Sequence, residues 1–210
     1  MKNIRFIVQC IPARADFVTY LTKHIQPHVR LETVCDVFGE GAGPTWIRLL
    51  DYIGNDAAVT LEDDCILTTD FVAKVYAVVA RNDRSVIQMH GRTRDDITKG
   101  PRWRKGNTFS NTQCVYYPPY FCTGLAEFAR TWGGWVKDPG GIDLCAAAYL
   151  HHIKRDYWQH VPSLVEHAAV RSASNPSRST RRQSTTFTDP ETEGLHVPVP
   201  PIMIRKQRGA

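Results

Sequence analysis

Glu62, Asp63 and Asp64 are three consecutive carboxylates that directly follow an apolar segment, residues 57–61. The apolar segment predicts a buried strand, and the carboxyl ends of such strands are where ligands bind in an open α/β sheet. Adjacent negative charges repel one another unless a cation neutralises them, and a hard divalent ion can hold a diphosphate at the same time. The tripeptide alone also fits an exposed acidic turn placed ahead of a helix N-terminus.

A second chemically suggestive segment runs from Val161 to His167 and is followed by Arg171, Ser172 and Ser174. A neutral imidazole can complete a metal site, and hydroxyl and guanidinium groups can bind phosphate oxygens. Taken alone, a histidine in such a position is more often a hydrogen-bonded structural residue.

The two segments together resemble the GT-A glycosyltransferases. The matching stretches are Leu61-Glu62-Asp63-Asp64 and Pro162-Ser163-Leu164-Val165-Glu166-His167, the latter followed by Ser172 and Ser174. Ile11-Pro12-Ala13-Arg14 resembles the first nucleotide contact of that family. The family places an Asp-x-Asp turn at the metal, and this chain has Glu-Asp-Asp there.

This resemblance covers about residues 3–175 and implies a nucleotide-sugar donor, UDP-glucose or a similar UDP-sugar, held through Mn²⁺ or Mg²⁺. Its implied metal ligands are Asp64, His167 and Glu62. Its implied donor-binding residues are Arg14, Asp36, Glu62, Asp63, Arg171, Ser172 and Ser174.

Asp143 is the candidate catalytic base, since an inverting transferase needs a carboxylate to deprotonate the acceptor hydroxyl. It follows the Gly140-Gly141 turn and opens a predicted helix, a position where the family often places its base. The alternative is a carboxylate that only favours the helix dipole. Asp138 and Glu127 are the other candidates, and a retaining enzyme would need no such base.

The acceptor is predicted from aromatic and basic residues. Aromatic rings stack on sugars and on bases alike, whereas basic segments favour a nucleic-acid backbone. The candidate acceptor contacts are Tyr117, Tyr120, Trp135, Arg102, Arg104, Arg181 and Arg182. We expect DNA containing hydroxymethylated pyrimidines, as in phage enzymes that flip out the target base. A cell-envelope glycan or lipid precursor is the alternative acceptor, and a non-catalytic nucleic-acid-binding module is the alternative of another class.

The charge distribution is the basis for the polyanion hypothesis. The net charge of +5 over 210 residues is concentrated in two segments. Residues 92–105 have six basic and two acidic residues, and residues 170–210 have seven basic and three acidic residues. The remainder of the chain is therefore mildly acidic, so any affinity for a polyanion should come from these segments.

Alternating strand and helix patterns predict an α/β fold, a single GT-A-like (Rossmann-like) domain with a mostly parallel central sheet flanked by helices. Predicted strands cover 4–10, 33–38, 57–61, 85–90 and 157–161; predicted helices cover 16–25, 70–80, 125–132 and 142–153, with another from Pro44. Residues 114–123 are predicted to be extended. We divide the chain into a nucleotide-sugar half (1–90), an acceptor half (91–175) and an irregular basic C-terminal arm (176–210).

Composition excludes several classes of protein. Hydrophobic residues make up 42% and charged residues 22%, which are globular values. The sequence has no apolar run long enough for a membrane span and no recognisable signal peptide, so we expect a cytoplasmic protein, in the host cytoplasm if it is encoded by a phage. The six cysteines occur singly, without a CxxC pair, which favours reduced thiols over a zinc ribbon.

Overall fold

The computed structural model describes residues 3–168, 170 and 183–193. In this part of the chain, ten strands form two sheets. The strands are β1 Ile4–Cys10, β2 Leu31–Cys35, β3 Ala57–Glu62, β4 Cys65–Thr68, β5 Ile87–Gln88, β6 Arg102–Arg104, β7 Cys114–Tyr117, β8 Tyr157–Gln159, β9 Val165–His167 and β10 Pro190–Glu191. The helices are α1 Ala15–Ile25, α2 Ala42–Ile53, α3 Phe71–Asn82, α4 Arg94–Lys99, α5 Phe121–Thr131 and α6 Ile142–His152.

The larger sheet has the order β2-β1-β3-β7-β5-β8-β6 among the described residues. Strands β1, β2 and β3 are parallel, as are β5 and β8, whereas β7 and β6 run antiparallel to their neighbours. Five of these seven strands therefore point in one direction. This confirms the predicted α/β fold with a mostly parallel central sheet.

Helices cover both faces of this sheet, because its central strands are apolar on both sides. On β1, Phe6 and Val8 pack with α1 and α3, whereas Ile7 packs with α2, α5 and α6. Trp46 and Leu50 of α2 are among the fully buried side chains on the second face. Burial of each large apolar side chain contributes roughly 1.5–3 kcal/mol to stability.

The smaller sheet, with order β10-β4-β9, was not predicted. Its strands have two to four residues, too few for an alternating pattern to show in the sequence. Strand β10 lies within residues 176–210, which we predicted to be an irregular arm. Residues 183–193 instead pack on the domain, and Phe187 is buried among Phe17, Ile66 and Ala168.

Several boundaries differ from the prediction: β2 is Leu31–Cys35 rather than 33–38, and α5 begins at Phe121, inside the segment 114–123 that was predicted to be extended. Two further differences have local reasons. The predicted strand 85–90 is regular only over Ile87–Gln88, after which the chain turns away through Gly91. Helix α3 begins at Phe71 rather than at residue 70, because Asp70 is in a left-handed conformation (φ 55°). None of the described helices has the length and hydropathy that a bilayer span requires.

Candidate functional site: an acidic cavity at the sheet edge

A cavity of about 320 Å³ opens at the edge of the large sheet where β1, β2 and β3 end. Parallel strands bring their carboxyl ends to one edge, so side chains that are distant in sequence meet there. The lining includes Gln9, Arg14, Asp36, Glu62, Asp63, Asp64, Arg92, Asn111, Thr112, Gln113, Asp143 and His167. Most of the residues that the sequence singled out for donor and metal binding therefore face one cavity.

Glu62, Asp64 and His167 form a cluster in this cavity. One ligand atom from each lies within 4.8 Å of the others, a spacing that allows all three to contact one ion. The pairing of β4 with β9 creates this cluster, since Cys65 is in register with His167. The Ala168 N–H also donates to the Asp64 carbonyl at 2.8 Å. The small sheet thus holds the histidine beside the acidic turn.

Asp64 is the most buried carboxylate of the cluster, with 2% of its surface exposed. Its Oδ2 lies 2.5 Å from Nη1 of Arg14 and 3.3 Å from Nε2 of His167. Burial alone would raise the pKa of Asp64, but the interactions with His167 and Arg14 outweigh burial and hold it below its ordinary value. Asp64 is therefore ionised at neutral pH.

The donor set fits a hard divalent cation. Among the described residues, Oδ1 of Asp64 is buried and has no hydrogen-bond partner. A buried, ionised oxygen without a hydrogen-bond partner destabilises the folded protein unless a cation or a water molecule binds it. Two carboxylates and one imidazole are ligands that Mn²⁺ accepts, and oxygen-rich sites also suit Mg²⁺.

Asp63 points back toward the β1–α1 turn. Its Oδ2 accepts from the Ile11 N–H at 2.9 Å, and its Oδ1 pairs with Arg14 at 2.6 Å. Burial and repulsion from Asp64 raise the pKa of Asp63, although Arg14 offsets part of the rise. Asp63 thus holds Arg14 and the turn after β1 in place at the cavity wall.

Glu62 is oriented by residues that precede β7. Its carboxylate accepts from the Thr112 hydroxyl at 2.6 Å and from the Gln113 side-chain amide at 3.5 Å. Sequence reasoning missed Thr112 and Gln113 as cavity residues. Polar residues directly before the apolar strand Cys114–Tyr117 were the available signal, and only the antiparallel direction of β7 brings them to this edge.

Asp36 lines the cavity at the end of β2, and its carboxylate organises the following loop. Its two oxygens accept from the N–H groups of Glu40 and Gly41, each at 2.8 Å. Burial would raise the pKa of Asp36, but the backbone donors more than compensate and lower it. Gly41 has φ 94°, a conformation that favours glycine, and it precedes α2. Asp36 therefore shapes the loop that forms one wall.

Asp143 lies in the first turn of α6, half-buried, and lines the same cavity as Asp64. Its Oδ1 accepts from the Leu144 N–H at 3.1 Å. Asp138, the first alternative, accepts from the Gly140 N–H at 3.1 Å and shapes the turn ahead of α6. Glu127, the second alternative, is on α5 outside the cavity lining. The cavity therefore favours Asp143 among these carboxylates.

The assignment of Tyr117 as an acceptor contact is wrong, because its side chain is fully buried and stacks on Phe121 inside the domain. Strand β7 runs antiparallel to β3 and pairs Tyr117 with Ala58, at the opposite edge from Glu62. Tyr120 follows at that same far edge and is 72% exposed. Stacking residues on this strand cannot reach the acidic cavity.

Trp135 is also outside the cavity lining. Its indole N–H donates to the Ala129 carbonyl at 2.6 Å, and its ring packs edge-on against Trp132 and Trp46. The structure therefore shows Trp135 as part of the packing between α2 and α5.

The positive charge of the basic segment 92–105 is partly neutralised by Asp96, an acidic residue of the same segment. Asp96 is fully buried, and it accepts from Arg102 at 2.8 Å while Arg104 lies 4.0 Å away. Neither arginine lines the acidic cavity, whereas Arg92 does. The remaining predicted contacts lie outside the described residues; they are Arg171, Ser172, Ser174, Arg181 and Arg182.

Comparison with known proteins shows only distant similarity. A candidate glucose-1-phosphate thymidylyltransferase from Bacillus anthracis, solved with sucrose, is similar with a TM-score of 0.47 and 10% identity over 79% of this chain and 89% of that chain. A197 from STIV is similar with a TM-score of 0.43 and 15% identity over 77% of this chain and 83% of that chain. A UDP-glucose pyrophosphorylase from Acinetobacter baumannii is similar with a TM-score of 0.37 and 11% identity over 70% of this chain and 57% of that chain. No family model and no curated protein matches the chain.

Proposed function

We propose that this protein is a metal-dependent glycosyltransferase that uses a nucleoside diphosphate sugar, with a UDP-sugar as the first donor to test. The observation that carries the proposal is the convergence of Glu62, Asp64 and His167, within 4.8 Å, at the carboxyl edge of the sheet. The GT-A resemblance of the segments that contain them supports a nucleotide-sugar donor. Asp143 in the same cavity adds a candidate base.

Glu62, Asp64 and His167 would hold Mn²⁺ or Mg²⁺. A bound divalent cation would neutralise the charge that develops on the leaving diphosphate. Arg14 is placed by Asp63 beside this cluster, so its guanidinium can pair with phosphate oxygens. Asp36 and its loop form the wall near the end of β2, where the nucleoside would lie.

Asp143 would accept the proton of the acceptor hydroxyl in an inverting transfer. The acceptor oxygen then forms a bond to the anomeric carbon, while the bond from that carbon to the phosphate oxygen breaks. The electron pair of the broken bond leaves with the nucleoside diphosphate, and the proton ends on the Asp143 carboxylate. Each atom and charge is thereby accounted for without another reactant.

The acceptor we propose is a hydroxymethylated pyrimidine of DNA. Support comes from the basic residues of 170–210 and from Arg92 in the cavity lining, which suit a phosphate backbone. Arg102 and Arg104 contribute less than their charge implies, because both face the buried Asp96. A cell-envelope glycan or lipid precursor is the other outcome of the same test.

The experiment is a donor panel with mass spectrometry. The protein is incubated with UDP-sugars and Mn²⁺, Mg²⁺ or EDTA, and UDP release is measured with and without hydroxymethylated DNA. We expect UDP release that requires the metal and a mass increase of one sugar per modified base. Metal-dependent UDP release without a DNA product would redirect the search to glycan acceptors. Absence of both UDP release and UDP binding with every donor and metal would refute the glycosyltransferase proposal.

A further inference from the structure

Residues 183–193 form a strap across the smaller sheet. The strap pairs with β4 through β10, with Pro190 opposite Thr68 and Glu191 opposite Leu67. The Glu191 carbonyl also accepts from the hydroxyl of Tyr20 on α1. Strand β4, which starts directly after Asp64, therefore lies between the strap and β9, the strand that ends at His167.

Glu166 connects the strap to His167. Its Oε1 accepts from the His167 N–H and from the Ser184 N–H, each at 2.7 Å. Nε2 of the buried His90 lies 3.7 Å from the same oxygen. Glu166 is itself only 4% exposed, so its carboxylate depends on these protein donors. Oε1 of Glu166 thus links the backbone of His167, a candidate metal ligand, to Ser184 in the strap.

A hydroxyl network fixes the strap beside this link. The Ser184 hydroxyl lies 2.7 Å from that of Ser163, and Thr186 accepts from the Ser163 N–H at 3.1 Å. The Ser163 hydroxyl accepts from the Gly91 N–H at 2.8 Å. Ser163 is fully buried, so protein encloses the network at this residue.

An apolar anchor holds the next part of the strap. The Phe187 side chain is 5% exposed and packs with Phe17 of α1 and Ile66 of β4. Burial of a phenylalanine contributes roughly 1.5–3 kcal/mol, which adds to the strand pairing and the hydroxyl contacts in offsetting the conformational entropy of the segment. The strap is therefore a built part of the domain; it pairs with β4, which directly follows Asp64, and is hydrogen-bonded to β9, which ends at His167.

We propose that the strap is a positioning element for His167, acting through Glu166. This inference rests on the proposed metal site. Oε1 of Glu166 accepts hydrogen bonds from the backbone N–H groups of both His167 and Ser184, and this link fixes the backbone of His167. The pairing of β10 with β4 fixes the residues after Asp64. Loss of the strap leaves both ligands a wider range of positions, and partners that orient metal ligands typically account for 10- to 100-fold in metal affinity.

Two pairs of full-length variants test the link. Glu166→Ala removes the acceptor, whereas Glu166→Gln keeps an oxygen that can accept the same two N–H groups. Ser184→Pro removes the N–H that donates to Glu166, whereas Ser184→Ala keeps it. Glu193→Gln, at an exposed ion pair with Lys23, is the control at the end of the strap. Circular dichroism and thermal unfolding verify that each variant is folded.

Mn²⁺ affinity is measured by calorimetry, and the visible absorption of bound Co²⁺ reports whether an imidazole is coordinated. We expect Glu166→Ala and Ser184→Pro to bind Mn²⁺ about 10- to 100-fold more weakly and to change the Co²⁺ spectrum. Glu166→Gln and Glu193→Gln should behave as wild type, whereas Ser184→Ala, which loses its hydroxyl contacts but keeps the N–H, should lose less Mn²⁺ affinity than Ser184→Pro. Truncation after residue 182 should reproduce the loss, and truncation after residue 193 should not.

The outcomes separate this inference from the proposed function. Wild type that binds Mn²⁺, with folded Glu166→Ala and Ser184→Pro variants of equal affinity and unchanged Co²⁺ spectrum, overturns the positioning role alone. Equal losses in Ser184→Pro and Ser184→Ala would overturn the role of the Ser184 N–H. Wild type that binds neither ion overturns the metal site itself, and the positioning role with it.

Discussion

Nε2 of His167 lies 3.3 Å from Oδ2 of Asp64, although the two residues belong to distant parts of the sequence. Asp64 directly precedes β4, and His167 ends β9, so the antiparallel register between these strands sets the distance. The same Asp64 oxygen lies 2.5 Å from Nη1 of Arg14, so this carboxylate contacts both a guanidinium and an imidazole.

Asp64→Asn should abolish Mn²⁺ binding and metal-dependent UDP release, because it removes the charged oxygen shared by the cluster. We expect a loss of transfer of at least about 100-fold. Calorimetry with Mn²⁺ and a UDP-release assay measure the two effects. Asp56→Asn, which alters an exposed carboxylate near Arg5, is the matched control and should keep both activities. Wild-type metal affinity in Asp64→Asn would contradict the site.

Asp143→Asn should leave UDP and Mn²⁺ binding unchanged and lower transfer by about 10²- to 10⁴-fold, the usual contribution of a general base. The physical reason is that the amide cannot accept the acceptor proton, although it has nearly the same shape. Binding by calorimetry and product by mass spectrometry separate the two properties. Asp138→Asn is the neighbouring control. Unchanged transfer in Asp143→Asn would remove its assignment as the base.

Asp96→Ala should destabilise the protein by about 3–5 kcal/mol, since it leaves Arg102 without its buried partner and the start of α4 without its cap. Chemical denaturation measures the change. Asp95→Ala is the adjacent control, because Asp95 is exposed and its ion pair is with the exposed Lys99, so the unfolding midpoint of this variant should barely move. Equal stability of the two variants would show that the Asp96–Arg102 pair is not structural.

His160→Gln should make stability less sensitive to acid. Burial, with a smaller contribution from Arg81, lowers the pKa of His160 to about 4. Between that value and the ordinary value of about 6.5, the unfolded chain binds a proton that the folded protein does not. Wild-type stability is therefore lost as pH falls through this window, by an amount on the order of 3 kcal/mol at pH 4.

Urea unfolding at pH 7, 5.5 and 4 measures this difference. The His160→Gln curve should fall less steeply with acid than the wild-type curve, whereas His151→Gln, on the exposed end of α6, should follow wild type. Parallel curves for His160→Gln and wild type would show that His160 is not a source of the acid sensitivity.

Periodicity and composition were enough to predict the α/β class, the mostly parallel sheet and most of the long elements. The strands at Ile4–Cys10 and Ala57–Glu62 are apolar and long enough to be recognised. Helix α1 has a clear apolar pattern, whereas α6 was recognised from its helix-forming composition. Short strands such as β4, β9 and β10 left no such signal, because two to four residues cannot establish a period.

The acceptor assignments show the limit of residue type as a guide. Tyr117 and Tyr120 were grouped because both are aromatic neighbours, yet one is fully buried and the other is 72% exposed. Arg102 and Arg104 were counted as surface charge, yet both face the buried Asp96. Strand direction and burial decide such cases, and neither can be read from a single charged or aromatic residue.

The sequence by itself determined which groups could do chemistry here: three carboxylates after an apolar strand, a histidine in the second segment and Asp143 after a glycine turn. Local order is enough for that, because strand, turn and cap propensities act over a few residues. Only the tertiary structure decided which of them meet. The register of β4 with β9 brings His167 to Asp64, and the antiparallel direction of β7 takes Tyr117 away from both. Such pairings join residues far apart in the chain, and burial over the whole domain, rather than local preference, selects among them.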